Sequence, residues 1–255
     1  MTNQALLETR GLTRHFGGLR ALEDVDLAVD EREILGLIGP NGAGKTTLFN
    51  CLSGVLKPTA GEVRFRGEAV HGRLPHQLVR RGICHTHQLA RPFGDMSVRE
   101  NVLVGAYFGR GLGAGAAERA DQALHVTSLQ HLASAPASQL TVGQRKLLEI
   151  ARVLATAPEL VLLDEVCGGL NQAETAHVLD VIRDLPRRGM TVIYIEHNMR
   201  AVMSVCDRIA VLNFGRKIAE GSPEAIAANE DVIRAYLGTA IPSPAFAVRV
   251  GPGEG

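Results

Sequence analysis

Residues 33–52 leave this chain little freedom. Glu33-Ile34-Leu35-Gly36-Leu37-Ile38 is almost continuously apolar, as a strand buried on both faces must be. It runs directly into Gly39-Pro40-Asn41-Gly42-Ala43-Gly44-Lys45-Thr46, and a helical stretch follows through Leu52. The pattern G-x-x-x-x-G-K-[ST] between a strand and a helix is a phosphate cradle. Its glycines let backbone N–H groups close around a β-phosphate, Lys45 reaches the β- and γ-oxygens, and Thr46 offers a hydroxyl to magnesium. The nucleotide-binding candidates here are Gly39, Asn41, Gly42, Gly44, Lys45, Thr46 and the adjoining Thr47. The pattern implies a purine nucleotide. An Asn-Lys-x-Asp guanine reader is missing from the sequence, which favours ATP over GTP.

A second stretch, residues 140–165, sets a geometric problem. Thr141 and Gly143 open a helix, and a helix start is an anion site because its N–H groups and positive dipole end face outward. Pro158 ends that segment, and the apolar strand after it finishes in Asp164 and Glu165. Carboxylates at the C-terminal end of a strand are placed to handle magnesium and water in an open α/β sheet. A helix of about four turns and a returning strand separate the two features, so they cannot easily serve one phosphate.

The rest of the chain supports an α/β fold with additions. Short alternating segments at 12–16, 25–29 and 62–65, with turns at Gly17-Gly18 and Gly61, predict a small antiparallel β layer near the N-terminus. Ser97-Val98-Arg99-Glu100 is a capping box that opens a helix. A glycine-rich break at 105–115 and a helical pattern over 117–132 follow, so 89–139 reads as a helical insertion. Helices are predicted over 142–155, 173–185, 223–228 and 232–237, and strands over 160–163, 192–195, 209–212 and 217–219. The Pro- and Gly-rich end beyond Gly238 predicts poor order.

Composition narrows the function. The formal net charge is +0 with no Lys/Arg stripe, which argues against nucleic acid or an anionic membrane as the main partner. Four scattered cysteines with no CxxC fit a reduced cytosolic setting. The start of the chain carries no signal-peptide pattern, and no apolar run nears the ~20 residues of a membrane span. Any membrane role is expected to come through a partner.

With these motifs in order, the chain resembles the ATP-binding subunits of ABC transporters along nearly its whole length, and most closely the branched-chain amino-acid import branch. The supporting segments are Phe16-Gly17-Gly18-Leu19-Arg20-Ala21-Leu22, Asp95 to Val102, Gly169-Leu170-Asn171-Gln172-Ala173-Glu174-Thr175, Ile195-Glu196-His197-Asn198-Met199 and Asp231 to Gly238. The resemblance implies a P-loop NTPase core with a mostly parallel sheet, a small N-terminal antiparallel β layer and an inserted helical subdomain. It divides the chain into an ATP-binding core (1–88 and 140–238), a helical subdomain contacting the permease (89–139) and a tail (239–255).

By the same resemblance, Phe16 stacks on adenine, and Gln88 touches magnesium and the attacking water. Asp164 reaches magnesium directly or through water, Glu165 polarises the water, and His197 contacts the γ-phosphate and holds Glu165 in line. Asn171 speaks to the other subunit. The implied assembly is a head-to-tail dimer in which Thr141, Gly143 and Gln144 act on the partner's ATP, which resolves the conflict within 140–165. The implied cofactors are ATP and Mg2+. The implied partners are permease subunits, a second ATP-binding subunit (identical or sister) and, indirectly, a periplasmic or extracellular solute-binding protein, with no nucleic acid. The implied place is cytoplasmic, peripheral on the inner face of the membrane.

The sequence departs from the family pattern in places. The signature Leu-Ser-Gly-Gly-Gln reads Leu140-Thr141-Val142-Gly143-Gln144; Thr141 keeps the hydroxyl, Gly143 keeps close approach, and the bulky Val142 fits the branched-chain type. Cys167 beside the carboxylates reads as a small packing residue rather than a reactive thiol. His71, His76, His85 and His87 lack the companions of a metal site and read as solvated or structural. A soluble ABC-type ATPase acting on nucleic acid or ribosomes is the alternative; such chains usually carry two ATPase halves or a long coiled-coil insertion, and neither is present. A regulatory nucleotide binder with little turnover fits less well with Lys45, Glu165 and His197 all in place.

Overall fold

The computed structural model describes residues 5–86 and 92–237. In chain order the elements are β1 (Leu7–Phe16), β2 (Leu19–Val29), β3 (Ile34–Ile38), α1 (Lys45–Leu52), β4 (Ala60–Phe65), β5 (Glu68–Ala69), α2 (Pro75–Arg81), β6 (Ile83–His85), α3 (Val98–Phe108) and α4 (Ala116–Val126). They continue with α5 (Val142–Leu154), β7 (Leu160–Asp164), α6 (Gln172–Asp184), β8 (Thr191–Ile195), α7 (Met199–Val205), β9 (Arg208–Asn213), β10 (Arg216–Gly221), α8 (Pro223–Ala227) and α9 (Glu230–Leu237).

Two sheets form. β2-β1-β4-β5 is wholly antiparallel, and β10-β9-β3-β8-β7-β6 is parallel except for β10 at its edge. The central strands are buried along their whole length because each serves two cores. Leu35 and Leu37 of β3, Leu160 and Leu162 of β7, and Ile193 and Ile195 of β8 face one core, with α1 and the antiparallel sheet. Ile34 and Ile38, Val161 and Leu163, and Val192 and Tyr194 face the other, with α3 to α6. The period of two along each strand sends successive side chains to opposite faces, and helices or sheet cover both. This mixed-sheet architecture agrees with the fold class expected.

Several expected boundaries shift, each for a local reason. Gly61 lies inside β4, where its left-handed φ of 79° sits beside a register shift against β1, so it makes a bulge rather than a turn. Gly105 lies inside α3 and lets that helix approach α5, because a side chain there would run into the backbone of Arg152. The helix predicted over 117–132 stops at Val126; Ser128 takes φ 56° and a 3-10 turn (Gln130–Leu132) follows. α2, β6 and α7 were not anticipated. α2 begins with Pro75 in its first turn and ends at left-handed Gly82, but it buries only Leu78, so it has almost no apolar periodicity to read. The poor order expected beyond Gly238 concerns residues outside the described part.

Candidate functional site

The strand order brings the C-terminal ends of β3, β7 and β8 side by side, since β3 pairs with β8 and β8 with β7. In an open parallel sheet this edge is where ligands bind. From β3 emerges the glycine loop. Gly39 and Gly44 take φ of 152° and 104°, and a Cβ on Gly44 would stand 2.6 Å from Ala21 O, so neither place accepts another residue without rearrangement. Gly44 is also the N-cap of α1. No side chain caps this helix and no acidic residue stands in its first turn, which leaves its start suited to an anion. Lys45, 6% exposed, donates from Nζ to Gly39 O at 2.6 Å and Pro40 O at 3.1 Å. Burial holds its pKa below the usual lysine value, against the opposing pull of Glu165 and Asp164.

The ends of β7 and β8 carry the acid–base groups. Glu165 adopts φ 48°, an uncommon conformation for a side-chain-bearing residue and one that concentrates at functional sites. Its N–H donates to Ile195 O at 2.9 Å, and its carbonyl accepts from Lys146 Nζ at 3.2 Å and from Gly168 N at 3.2 Å. Those contacts hold the strained residue, whose Oε1 lies 2.6 Å from His197 Nε2. Asp164 is buried, and its backbone N–H donates to Thr86 Oγ1 at 3.1 Å. Burial, then the neighbouring Glu165 and Glu196 carboxylates, push its pKa up to about 6.

A cavity of about 550 Å3 lies over these strand ends. It brings together Phe16, Asn41, Gly42, Gly44, Lys45, Thr46, Thr47, Glu165 and His197 from the expected set. Phe16 is 43% exposed, not a core residue, and the Arg14 guanidinium lies 4.5 Å from its ring centroid. Gly39 and Asp164 sit just behind, at the ends of the strands that carry the lining loops. Gln88 lies outside the described residues.

Magnesium fits this donor set. Thr46 is an exposed residue in the first turn of α1, and Asp164 is a buried carboxylate crowded by two others, an arrangement a cation relieves. Among the described residues no group of three or more His, Cys, Asp or Glu is placed to hold a metal ion. Magnesium commonly takes one or two carboxylates and leaves the remaining positions to water and phosphate oxygens.

Thr141, Gly143 and Gln144 do not line the cavity. Thr141 caps α5: its Oγ1 accepts from Gln144 N at 3.3 Å, and Gln144 Oε1 accepts from Thr141 N at 3.0 Å. Val142 is exposed at the first position of that helix. Gly143 is buried against Glu174, where a Cβ would meet Oε1 at 2.6 Å. Glu174 in turn shares a capping box with Asn171, accepting from Asn171 N at 3.1 Å while Asn171 Oδ1 accepts from Glu174 N at 2.9 Å. The start of α5 and the start of α6 therefore touch through one side chain.

Three residues near the site escaped the sequence reading. Glu196, 5% exposed, accepts from Cys167 N at 3.1 Å and from His197 N at 2.8 Å, so one carboxylate ties together the loops after β7 and β8. Lys146 connects α5 to the Glu165 carbonyl. Phe214 lines the cavity from the turn between β9 and β10. Only Glu196 carried a signal, a charged residue directly after a fully apolar strand; the other two meet the site through long-range packing. Cys167 is buried with Sγ 3.3 Å from Tyr194 Oη, and burial pushes its thiol up to about 11, in keeping with a packing role. His71 Nδ1 accepts from Val63 N at 3.4 Å, and His85 stands edge-on to Phe49 with centroids 5.8 Å apart.

Comparison with known proteins adds an independent line. The family described as ABC transporter matches residues 22–168, and that described as branched-chain amino acid ATP-binding cassette transporter matches residues 216–241. The high-affinity branched-chain amino acid transport ATP-binding protein BraF of Pseudomonas aeruginosa is 42% identical over 254 residues, covering 93% of this chain and 100% of that protein. Among solved structures, the ADP conformation of an ATP-binding cassette of an ABC transporter superposes with a TM-score of 0.85 at 30% identity, covering 92% of this chain and 99% of that one. A dimeric post-hydrolysis cassette bound to ADP and phosphate superposes with a TM-score of 0.74 at 25% identity, covering 85% and 98%.

Proposed function

The chain belongs to the ABC transporter ATP-binding family, and from that premise we propose that it energises an importer of branched-chain amino acids or related small solutes by hydrolysing ATP. The observation that carries this reading is the meeting of Lys45, Glu165 and His197 around one cavity at the strand ends, with Glu165 and His197 within hydrogen-bond distance. The solute class rests on the likeness to the amino-acid transport relative and on the match of the 216–241 segment.

In this proposal the β- and γ-phosphates take the place of the loop carbonyls that Lys45 now contacts, and the open start of α1 faces the phosphate chain. Phe16 supports the adenine, while Asn41, Gly42, Gly44 and Thr47 close around the phosphates. Glu165 accepts the proton of the attacking water, and His197 steadies that carboxylate and the γ-phosphate. Thr46 and Asp164, with Gln88, hold magnesium, which when bound neutralises charge on the phosphate oxygens. Most of this catalysis is positioning, so the bonds that fix Glu165 in its left-handed conformation serve the reaction directly.

Thr141, Gly143 and Gln144 act on the ATP of a second ATP-binding subunit in a head-to-tail dimer; their absence from this chain's own cavity and the exposure of Thr141 support that assignment. Closure over two nucleotides then drives permease subunits that dock on the helical part, residues 89–139, in a division of the chain that assigns 1–88 and 140–238 to the core and 239–255 to a tail. No helix among the described residues is long and apolar enough to cross a membrane. We place the protein at the inner face of the membrane through its permease, with a solute-binding protein acting from the far side.

Purification from detergent-solubilised membrane tests the proposal. It predicts co-purification with permease subunits and phosphate release stimulated by the amino-acid-loaded binding protein. Recovery without any membrane protein, with ATPase activity stimulated by nucleic acid instead, would overturn it.

A further inference from the structure

Phe214 and Gly215 are the two central residues of the hairpin between β9 and β10, in which Asn213 pairs with Arg216. Both have positive φ, 46° and 78°. Two-residue turns of this kind favour Asn-Gly, since Asn tolerates the left-handed region and Gly enters it freely. Gly215 conforms, whereas a bulky aromatic at the first position is an outlier. The same ring is 84% exposed, more than any other large apolar side chain among the described residues. Local conformation and solvation thus both disfavour phenylalanine here, and such violations of local preference gather at functional sites.

The turn is anchored beside the phosphate loop. Gly215 N donates to Ala43 O at 2.9 Å, and Gly215 O accepts from Glu23 N at 2.9 Å, so the hairpin tip is wedged between the glycine loop and β2. From that position Phe214 lines the same cavity as Phe16, Lys45 and Thr46. We propose that Phe214 is a second aromatic contact for the nucleoside of ATP, in addition to Phe16. The inference rests on the reading of this cavity as the ATP site. A bound purine covers the exposed ring and offers it a flat π face, and base–aromatic contact offsets the unfavourable backbone.

The test compares Phe214→Asn, Phe214→Trp and Lys45→Ala in the full chain, with ATP and inorganic tripolyphosphate as probes in equilibrium binding. Phe214→Asn installs the residue that the turn prefers, so its unfolding midpoint is expected to rise by about 2–4 °C. Its ATP affinity is expected to fall roughly tenfold, with tripolyphosphate affinity unchanged, while Phe214→Trp keeps ATP affinity. Parental ATP affinity in Phe214→Asn, or equal losses for ATP and tripolyphosphate, overturns the proposal, the second result meaning that the turn only supports the phosphate loop. ATP binding undiminished by Lys45→Ala would overturn the assignment of the cavity itself.

Discussion

His197 Nε2 and Glu165 Oε1 stand 2.6 Å apart, joining residues that lie just past the ends of two neighbouring strands and are separated by 32 positions in the chain. A carboxylate oxygen accepts and an imidazole N–H donates, so this hydrogen bond makes each side chain hold the other in place. The backbones of the two strand ends are joined as well, through the Glu165 N–H to Ile195 O bond at 2.9 Å, two residues before His197.

Replacing Glu165 by Gln keeps the shape and removes the proton acceptor. ATP binding is expected to persist, and turnover to fall by ~10²–10⁴-fold, the usual consequence of losing a general base. Single-turnover phosphate release beside equilibrium ATP binding separates the two effects, and normal hydrolysis would show that another group activates water.

Glu196 reaches the chemistry through His197. In Glu196→Gln one side-chain oxygen can still accept an N–H, but the other position becomes a donor facing a donor, so either Cys167 N or His197 N loses its partner. Turnover is expected to drop about tenfold with little change in ATP affinity. Introduced into His197→Ala, the same substitution should add almost nothing further. Fully additive losses in that double-mutant cycle would mean that Glu196 only stabilises the fold.

Asp164 gives opposite signs for stability and binding. Its folded pKa is about 6 against an ordinary 3.8, so its contribution to stability is fully present below 3.8 and is lost as pH rises through about 6. At pH 7.5 the nucleotide-free Asp164→Asn variant is expected to be more stable than the parent by on the order of 2 kcal/mol, with the gap closing toward pH 4. Magnesium, which needs the carboxylate ionised, should bind the parent about tenfold more weakly for each pH unit below 6. Paired thermal melts and magnesium titrations across pH 4–8 read both; a parent and variant that keep a constant stability gap would refute the assignment.

Gly109 ends α3 against the end of α5, and a Cβ there would lie 2.5 Å from Thr156 O. With backbone as the obstacle, Gly109→Ala is expected to cost about 1–3 kcal/mol, seen in chemical unfolding. Gly111→Ala meets open space but has φ 81°, so backbone strain alone sets its smaller penalty of ~1 kcal/mol. Equal stability of Gly109→Ala and the parent would contradict the close approach of α3 and α5.

The parts of the fold legible in the sequence are those in which neighbouring residues determine one another. The apolar run before Gly39, the glycines of the loop, the capping box at Ser97, the helix start at Thr141 and the alternation of the β layer are all satisfied within a few residues, and the structure contains each. α2 stayed hidden because a helix with one buried residue carries no period, and Gly105 misled because a glycine that permits helix contact looks, in a string of letters, like one that breaks a helix. Gln88 falls beyond the described residues, and its part in the site remains the one proposed from resemblance.

By itself, then, the sequence determined that a phosphate loop, a carboxylate pair at a strand end and a helix start suited to an anion exist in this chain, because each is local chemistry written in consecutive residues. Only the tertiary structure decided their company. Pairing β8 between β3 and β7 sets His197 against Glu165; Glu196 bridges the two loops; Lys146 holds a left-handed backbone; and the β9–β10 turn delivers Phe214 to the cavity. Strand order is chosen by the burial of whole faces across the molecule, a long-range balance that no short window of residues contains.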